Sequence, residues 1–104
     1  MGTVSLHTKA EEIRSNLSHI LSSKEFSNKE KNCTLLKFLV EETLAGRADQ
    51  LKQYTIGTGI LNRPPDFNPD LDPIVRILAG RLRRSLKTYY EQEGTDDTIR
   101  IDIP

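Results

Sequence analysis

The chain has 104 residues, of which 36% are hydrophobic and 29% charged, a length that fits one globular domain and excludes a large multi-step enzyme. Fifteen Lys and Arg balance fifteen Asp and Glu, so the chain as a whole is not a polybasic binder of nucleic acid or membrane, and any electrostatic function has to be local. The sequence contains neither the roughly 18 consecutive apolar residues of a membrane span nor a secretory signal, and its lone Cys33 fits a reducing compartment. We therefore expect a cytoplasmic protein that forms one domain over residues 1–104, with a frayed start over residues 1–8.

Two amphipathic helices are predicted in the first half of the chain. A capping box at Thr8 opens the first helix, which ends near Ser22. A second capping box at Ser27 opens the core helix, which spans about residues 28–45 and has Gly46 as a left-handed C-terminal cap. The apolar stripes consist of Ile13, Leu17, Ile20 and Leu21 in the first helix and of Cys33, Leu36, Leu39, Val40 and Leu44 in the second.

The middle of the chain is less regular. Residues 54–61 predict a short helix, although Gly57 and Gly59 each cost a helix about 1 kcal/mol relative to alanine. Either this helix is marginal, or the glycines allow a neighbouring group to approach closely. The four prolines of residues 62–73 predict a loop.

The last third of the chain predicts a helix followed by a strand. Asp72 and Pro73 form an N-cap and first-turn pair for an amphipathic helix over residues 74–90. Gly94 marks a turn, and residues 98–103 alternate between isoleucine and polar side chains, as in a half-buried strand. The open edge of this strand is expected to pair with residues 50–53 or with another copy of the chain, as a homodimer.

Basic residues are concentrated on the helix over 74–90. Residues 73–90 include five basic residues and no acid, which leaves ten basic and fifteen acidic residues in the rest of the chain. The five are Arg76, Arg81, Arg83, Arg84 and Lys87. A neutral domain that collects positive charge on one helix can present a phosphate-binding face, and arginine suits forked contacts to phosphate or guanine. The other interpretation is a solvated helix face whose charges pair with acidic residues elsewhere.

No catalytic residue, metal site or cofactor is predicted. Alternating acidic and amide side chains over residues 66–72 imitate the start of a calcium loop, but Leu71 and Ile77 stand where that loop needs Gly and Glu. Gly57 and Gly59 belong to neither a dinucleotide fingerprint nor a phosphate loop. The chain is therefore expected to be non-enzymatic, with Cys33 as core packing and His19 on the surface.

Five short segments carry a resemblance to a known family. They are FLVEETLAG (38–46), LKQYTI (51–56), RPPDF (63–67), DPIVR (72–76) and GRLRRSL (80–86). Together they resemble the winged-helix-like domain at the N-terminus of many bacterial multidomain signalling proteins, where it often precedes adenylate cyclase-type or tetratricopeptide-repeat regions. The resemblance covers about residues 10–104. It implies an α+β fold, mostly helical and of the winged helix-turn-helix type, with a short or incomplete β wing that is truncated at residue 104.

Residues 74–86 and the strand after them more distantly resemble the recognition helix and wing of OmpR/PhoB-type DNA-binding domains. That resemblance places Leu82 and Leu86 in the core. It implies that DNA is contacted by Arg76, Arg83, Arg84 and Lys87 of the helix and by Arg100 of the wing. Arg81 is expected either to flank this face, to reach a phosphate or to pair with an acid of the preceding loop.

These observations predict a transcription-regulatory DNA-binding module of a bacterial signalling protein, which inserts its basic helix into the major groove of double-stranded DNA. The alternative is a protein-interaction or dimerisation module that docks the same helix on an acidic protein surface and regulates a fused domain. The two hypotheses differ in whether Asp66, Asp70 or Glu91 neutralises Arg83 and Arg84. Neither involves a membrane.

Overall fold

The fold is taken from a computed structural model, which describes the backbone of residues 2–97 and 99–103 and the side chains of residues 10–97 and 99–103. Within those ranges the chain forms α1 (Gly2–Leu21), α2 (Glu30–Leu44), α3 (Gln53–Ile60) and α4 (Ile74–Gln92), with a 3-10 turn at Ala48–Gln50. Helix α4 lies against both α2 and α3, and α1 packs against α2. The described chain is therefore an all-helical unit.

This architecture contradicts the predicted α+β winged-helix fold, because no strand forms in the described residues. The isoleucines of residues 99–103 are half-buried and alternate with exposed polar side chains, as predicted, but the segment lies extended beside the helices without a paired strand. Of the predicted partner residues 50–53, Gln50 ends a 3-10 turn and Gln53 begins α3, and no strand forms between them. Burial of Ile101 and Ile103 against the helical core is enough to produce the alternating pattern. Thr98 and Pro104 of the predicted strand and wing lie outside the described residues.

The helices occur where the apolar periodicity predicts them, whereas both predicted capping boxes are wrong. Helix α1 begins at Gly2, so Thr8 lies inside it. Helix α2 begins at Glu30 with Lys29 at its N-cap, and the Ser27 hydroxyl instead donates to the carbonyl of Lys24 at 3.1 Å. Because the Ser27 side chain is hydrogen-bonded within the preceding turn, it does not cap α2.

One predicted helix end is confirmed by the backbone, and the other is shifted by one residue. Gly46 has a φ of +83°, the left-handed conformation expected after the end of α2. Helix α4 begins at Ile74 with Pro73 at its N-cap, one residue later than the predicted N-cap, although the Asp72 carboxylate still accepts from the backbone N–H of Ile74 at 3.1 Å. These contacts set where the basic helix begins.

The core lies between α4 and the helices that precede it. Its fully buried large side chains are Phe26, Ile20, Leu35, Leu36 and Leu82. Phe26 comes from the connection between α1 and α2, so that connection is anchored by an aromatic ring and is not a free linker. Helix α4 is fixed along its length by this packing, which leaves its opposite face to solvent.

A close contact at Gly57 decides between the two interpretations of the α3 glycines. A Cβ atom at Gly57 would lie 2.4 Å from Cε2 of Phe67, whereas one at Gly59 would lie 3.9 Å from Cζ of Phe38. The buried ring of Phe67 thus occupies the space of the missing side chain at Gly57. Gly57 allows the close approach of a neighbour, and Gly59 does not serve that purpose.

A chain of polar contacts attaches Asp97 and Ile101 to α1 and α4. The Asp97 carboxylate accepts hydrogen bonds from the Asn16 amide and from the Tyr89 hydroxyl, each at 2.8 Å. The Tyr90 hydroxyl donates to the Asn16 side-chain oxygen and accepts from the backbone N–H of Ile101, each at 2.7 Å. Both tyrosines are buried.

This network predicts a loss of stability at alkaline pH. Burial raises the pKa of Tyr89 and Tyr90 above the ordinary value of about 10, and the hydrogen bond to Asp97 raises the pKa of Tyr89 further. Above about pH 10 the unfolded chain releases these protons before the folded chain does, so the free energy of unfolding falls as pH rises, whereas below pH 10 both states keep them. We expect urea unfolding midpoints to fall from about pH 10 upward, and the fall to be shallower in Tyr89→Phe. Tyr54→Phe, which changes an exposed tyrosine, is the control, and an equal fall in all three proteins would contradict this prediction.

Candidate nucleic-acid interface

Helix α4 has one buried and one exposed face. Its buried side chains are Val75, Leu78, Leu82, Ser85, Leu86, Tyr89 and Tyr90. Its exposed side chains between residues 76 and 87 are Arg76, Ile77, Arg81, Arg83, Arg84 and Lys87. All five basic residues that the sequence singles out are therefore brought to the solvent side of one helix, with Leu82 and Leu86 in the core.

Three of these cations form no ion pair within the described part of the chain. They are Arg81, Arg84 and Lys87. Arg84 therefore forms no ion pair with Asp66, Asp70 or Glu91 in the described residues. Asp72, at the end of the same loop, pairs with Arg63 at 3.1 Å. Unpaired and exposed charges on one helix face produce a positive potential that the overall neutrality of the chain conceals.

Arg76 and Arg83 have roles within the fold. The Arg76 guanidinium donates to the carbonyl of Pro69 at 2.8 Å and to the side-chain oxygen of Gln53 at 3.3 Å, which ties the loop before α4 to α3. Nε of Arg83 donates to the carbonyl of Ile103 at 3.3 Å. Both guanidinium groups remain at the edge of the basic face, because both residues are exposed.

Arg100 does not occupy the wing position that the sequence predicts, since no wing forms in the described residues. Its guanidinium carbon lies 4.8 Å from the centre of the Tyr90 ring, and its Nε lies 3.6 Å from the Asp102 carboxylate. This cation–π contact holds the C-terminal segment on α4. Arg100 is separate from the exposed face of the helix.

A groove of about 670 Å³ separates α4 from the start of α2. Arg81 and Arg84 line one side, while Glu30 and Lys31 line the other, so the groove has mixed charge. At its base, the buried Ser85 hydroxyl oxygen accepts from the Asn32 amide at 3.0 Å and from Nζ of Lys29 at 3.2 Å. These bonds fix the rotation of α4 against α2 and thereby the direction in which its arginines project.

The remaining candidate groups are placed as packing or surface residues. Cys33 is half-buried, its thiol donates to the carbonyl of Phe26 at 3.3 Å, and burial raises the pKa of the thiol. His19 is exposed, as expected. Among the described side chains, no three His, Cys, Asp or Glu residues are grouped so that they could hold a metal ion.

Two residues on the exposed face of α4 were not singled out by the sequence analysis. Ile77 is 45% exposed, and Gly80, which is half-buried, follows it one turn later between Arg76 and Arg84. The exposure of Ile77 could have been predicted from a helical projection of the sequence, because Ile77 lies opposite the apolar stripe that includes Val75 and Leu82. The basic face therefore includes one apolar side chain and one position without a side chain.

Comparisons with protein-family models, with curated proteins and with solved structures give no match for this chain. No helix in the described residues has the length and apolarity that crossing a membrane requires.

Proposed function

We propose that this chain is a DNA-binding module of the transcription-regulatory kind, which contacts double-stranded DNA through the exposed face of α4. The observation that carries the proposal is that Arg81, Arg84 and Lys87 project from one rigid helix and form no ion pair in the described part of the chain. A helix with cations along one side fits the major groove, where arginine can reach both phosphates and guanine edges. The proposal needs no wing.

The geometry of α4 supports contact over more than one helical turn. Residues 76 and 87 are separated by about 16 Å along the helix axis, at about 1.5 Å for each residue. That distance is comparable to roughly five base-pair steps of about 3.4 Å each. The basic face is therefore long enough to follow the groove over one recognition site.

The proposal predicts a salt dependence that the basic residues of α4 determine. We expect binding to a random-sequence duplex to weaken steeply with salt, because each phosphate contact releases condensed counterions. A triple variant with Arg81→Gln, Arg84→Gln and Lys87→Gln should lower the slope of log affinity against log salt by about three, which is about one for each lost contact. Fluorescence anisotropy over a salt series measures both slopes.

Lys37→Gln is the control, because Lys37 is exposed and lies on α2, outside the basic face. We expect it to keep the wild-type slope. Absence of binding at low salt by the folded protein, or an unchanged slope in the triple variant, would contradict the proposal. An acidic protein surface would then be the partner to test.

A further inference from the structure

Ile77 and Gly80 both lack an explanation within the described fold. Ile77 is exposed although its helix has a well-packed apolar face on the other side. A Cβ atom at Gly80 would meet Nη1 of Arg84 at 3.7 Å, which is ordinary van der Waals contact, so an alanine fits there. By contrast, packing explains Gly57 and Gly94, where a Cβ atom would lie 2.4 Å and 2.5 Å from an aromatic ring atom. Packing within the described fold thus requires neither residue, and the apolar side chain beside the glycine is available for contact with an external partner.

The position of the two residues restricts the partner. They are three residues apart on one face, about 4.5 Å along the helix axis, and unpaired Arg81 and Arg84 lie beside them. A partner that covers all four residues has to be anionic at its edges and to offer an apolar group at close range between them. In the major groove, phosphates flank the base edges, and the 5-methyl group of thymine is the apolar group among those edges.

We propose that Ile77 and Gly80 form the base-reading part of α4: Ile77 packs on the 5-methyl group of a thymine, and Gly80 lets the helix backbone approach the same base pair or the next one. This inference rests on the proposed DNA binding and adds its sequence preference. The flanking arginines hold the helix in the groove through phosphates, while the residue pair discriminates an A·T pair from a G·C pair. The absence of a Cβ atom at Gly80 keeps the helix axis close enough for the short Ile77 side chain to reach the methyl group.

The test uses a duplex selected from a random pool by the wild-type protein, in which each thymine is replaced in turn by deoxyuridine, which lacks only the methyl group. We expect one replacement to weaken wild-type binding by about four-fold, the effect of exposing one buried methyl group. Ile77→Ala should bind the unmodified duplex about as weakly and should be insensitive to that replacement. Leu71→Ala, which shortens an exposed leucine outside α4, is the matched control and should behave as the wild type does.

Gly80→Ala provides a second readout, in which stability and binding change in opposite directions. The variant should melt about 4 °C higher, because alanine is the better helix former, and should bind the selected duplex about ten-fold more weakly. If alanine at this position acted only through its higher helix propensity, the melting temperature would rise and the affinity would stay unchanged.

The outcomes distinguish a failure of the base-reading role from a failure of DNA binding itself. If no deoxyuridine affects wild-type binding, if selection returns no preferred sequence, or if Gly80→Ala binds as the wild type does, the base-reading role is overturned. Salt-dependent binding that requires Arg84 would still support the DNA-binding function in those cases. If the wild-type protein does not bind DNA at all, both proposals fail together.

Discussion

Replacing Gly57 by alanine is expected to destabilise the protein by about 1–2 kcal/mol. A Cβ atom at this position would lie within 2.9 Å of three atoms of the Phe67 ring, which is itself buried, so either the ring or helix α3 has to move. Inserting one carbon into a packed core costs about 1–3 kcal/mol, and the helix propensity gained from alanine offsets only part of that cost. Urea unfolding measures the change, and the melting temperature should fall by about 5 °C or more.

Gly59→Ala is the matched control, because Gly59 is two residues away in the same helix and meets only ordinary contact distances. We expect this variant to be as stable as the wild type or up to about 1 kcal/mol more stable. Phe67→Leu in the Gly57→Ala background should restore part of the lost stability, because the smaller side chain makes room for the new methyl group. Similar effects of the two glycine substitutions would show that Phe67 does not determine the cost.

Reversing the charge of Arg84 and Lys87 is expected to weaken DNA binding by about 100-fold or more at about 0.1 M salt. Glutamate at both positions replaces two attractive phosphate contacts with two repulsive ones at the centre of the proposed interface. Both side chains are exposed, so the free energy of unfolding should change by no more than about 0.5 kcal/mol. Duplex binding by anisotropy and unfolding in urea are measured on the same protein.

The control for this prediction changes the net charge equally but outside α4. Lys24→Glu with Lys37→Glu replaces two exposed lysines, one in the turn after α1 and one on α2. We expect a loss of less than about five-fold, because distant charges are screened beyond about 10 Å at ordinary salt. Equal losses in the two double variants would mean that net charge alone drives binding, and the assignment of α4 as the interface would then be wrong.

Much of the helical structure could be predicted from local patterns. Helix α4 is amphipathic as predicted, since Leu82 and Leu86 are buried and the five basic residues are exposed. The left-handed backbone at Gly46 was predicted in the same way, because only glycine adopts a positive φ without strain. The capping serine of α2 was not predicted correctly, because Ser27 had a competing acceptor in its own turn.

The predicted strand shows where local patterns are insufficient. Alternating burial over residues 99–103 is real, but a strand also needs a partner backbone, which the described fold does not provide. Similarly, the number of basic residues on α4 was evident from the sequence, whereas their pairing was not, because Asp72 reaches Arg63 across the loop that precedes the helix. Charge pairing depends on distances between elements that are remote in sequence.

Residue spacing is enough to predict the amphipathic helices and the basic character of one of them, because spacing along the chain sets which side chains share a helix face. The packing of the helices is needed to see that the segment over residues 99–103 lies unpaired beside them and that Arg81, Arg84 and Lys87 form no ion pair in the described residues. The packing of the elements also determines which glycines have a structural role, since the ring of Phe67 excludes a Cβ atom at Gly57, whereas a Cβ atom at Gly80 would meet only an ordinary contact with Arg84. These features depend on the packing of one element against another, which residue spacing does not specify.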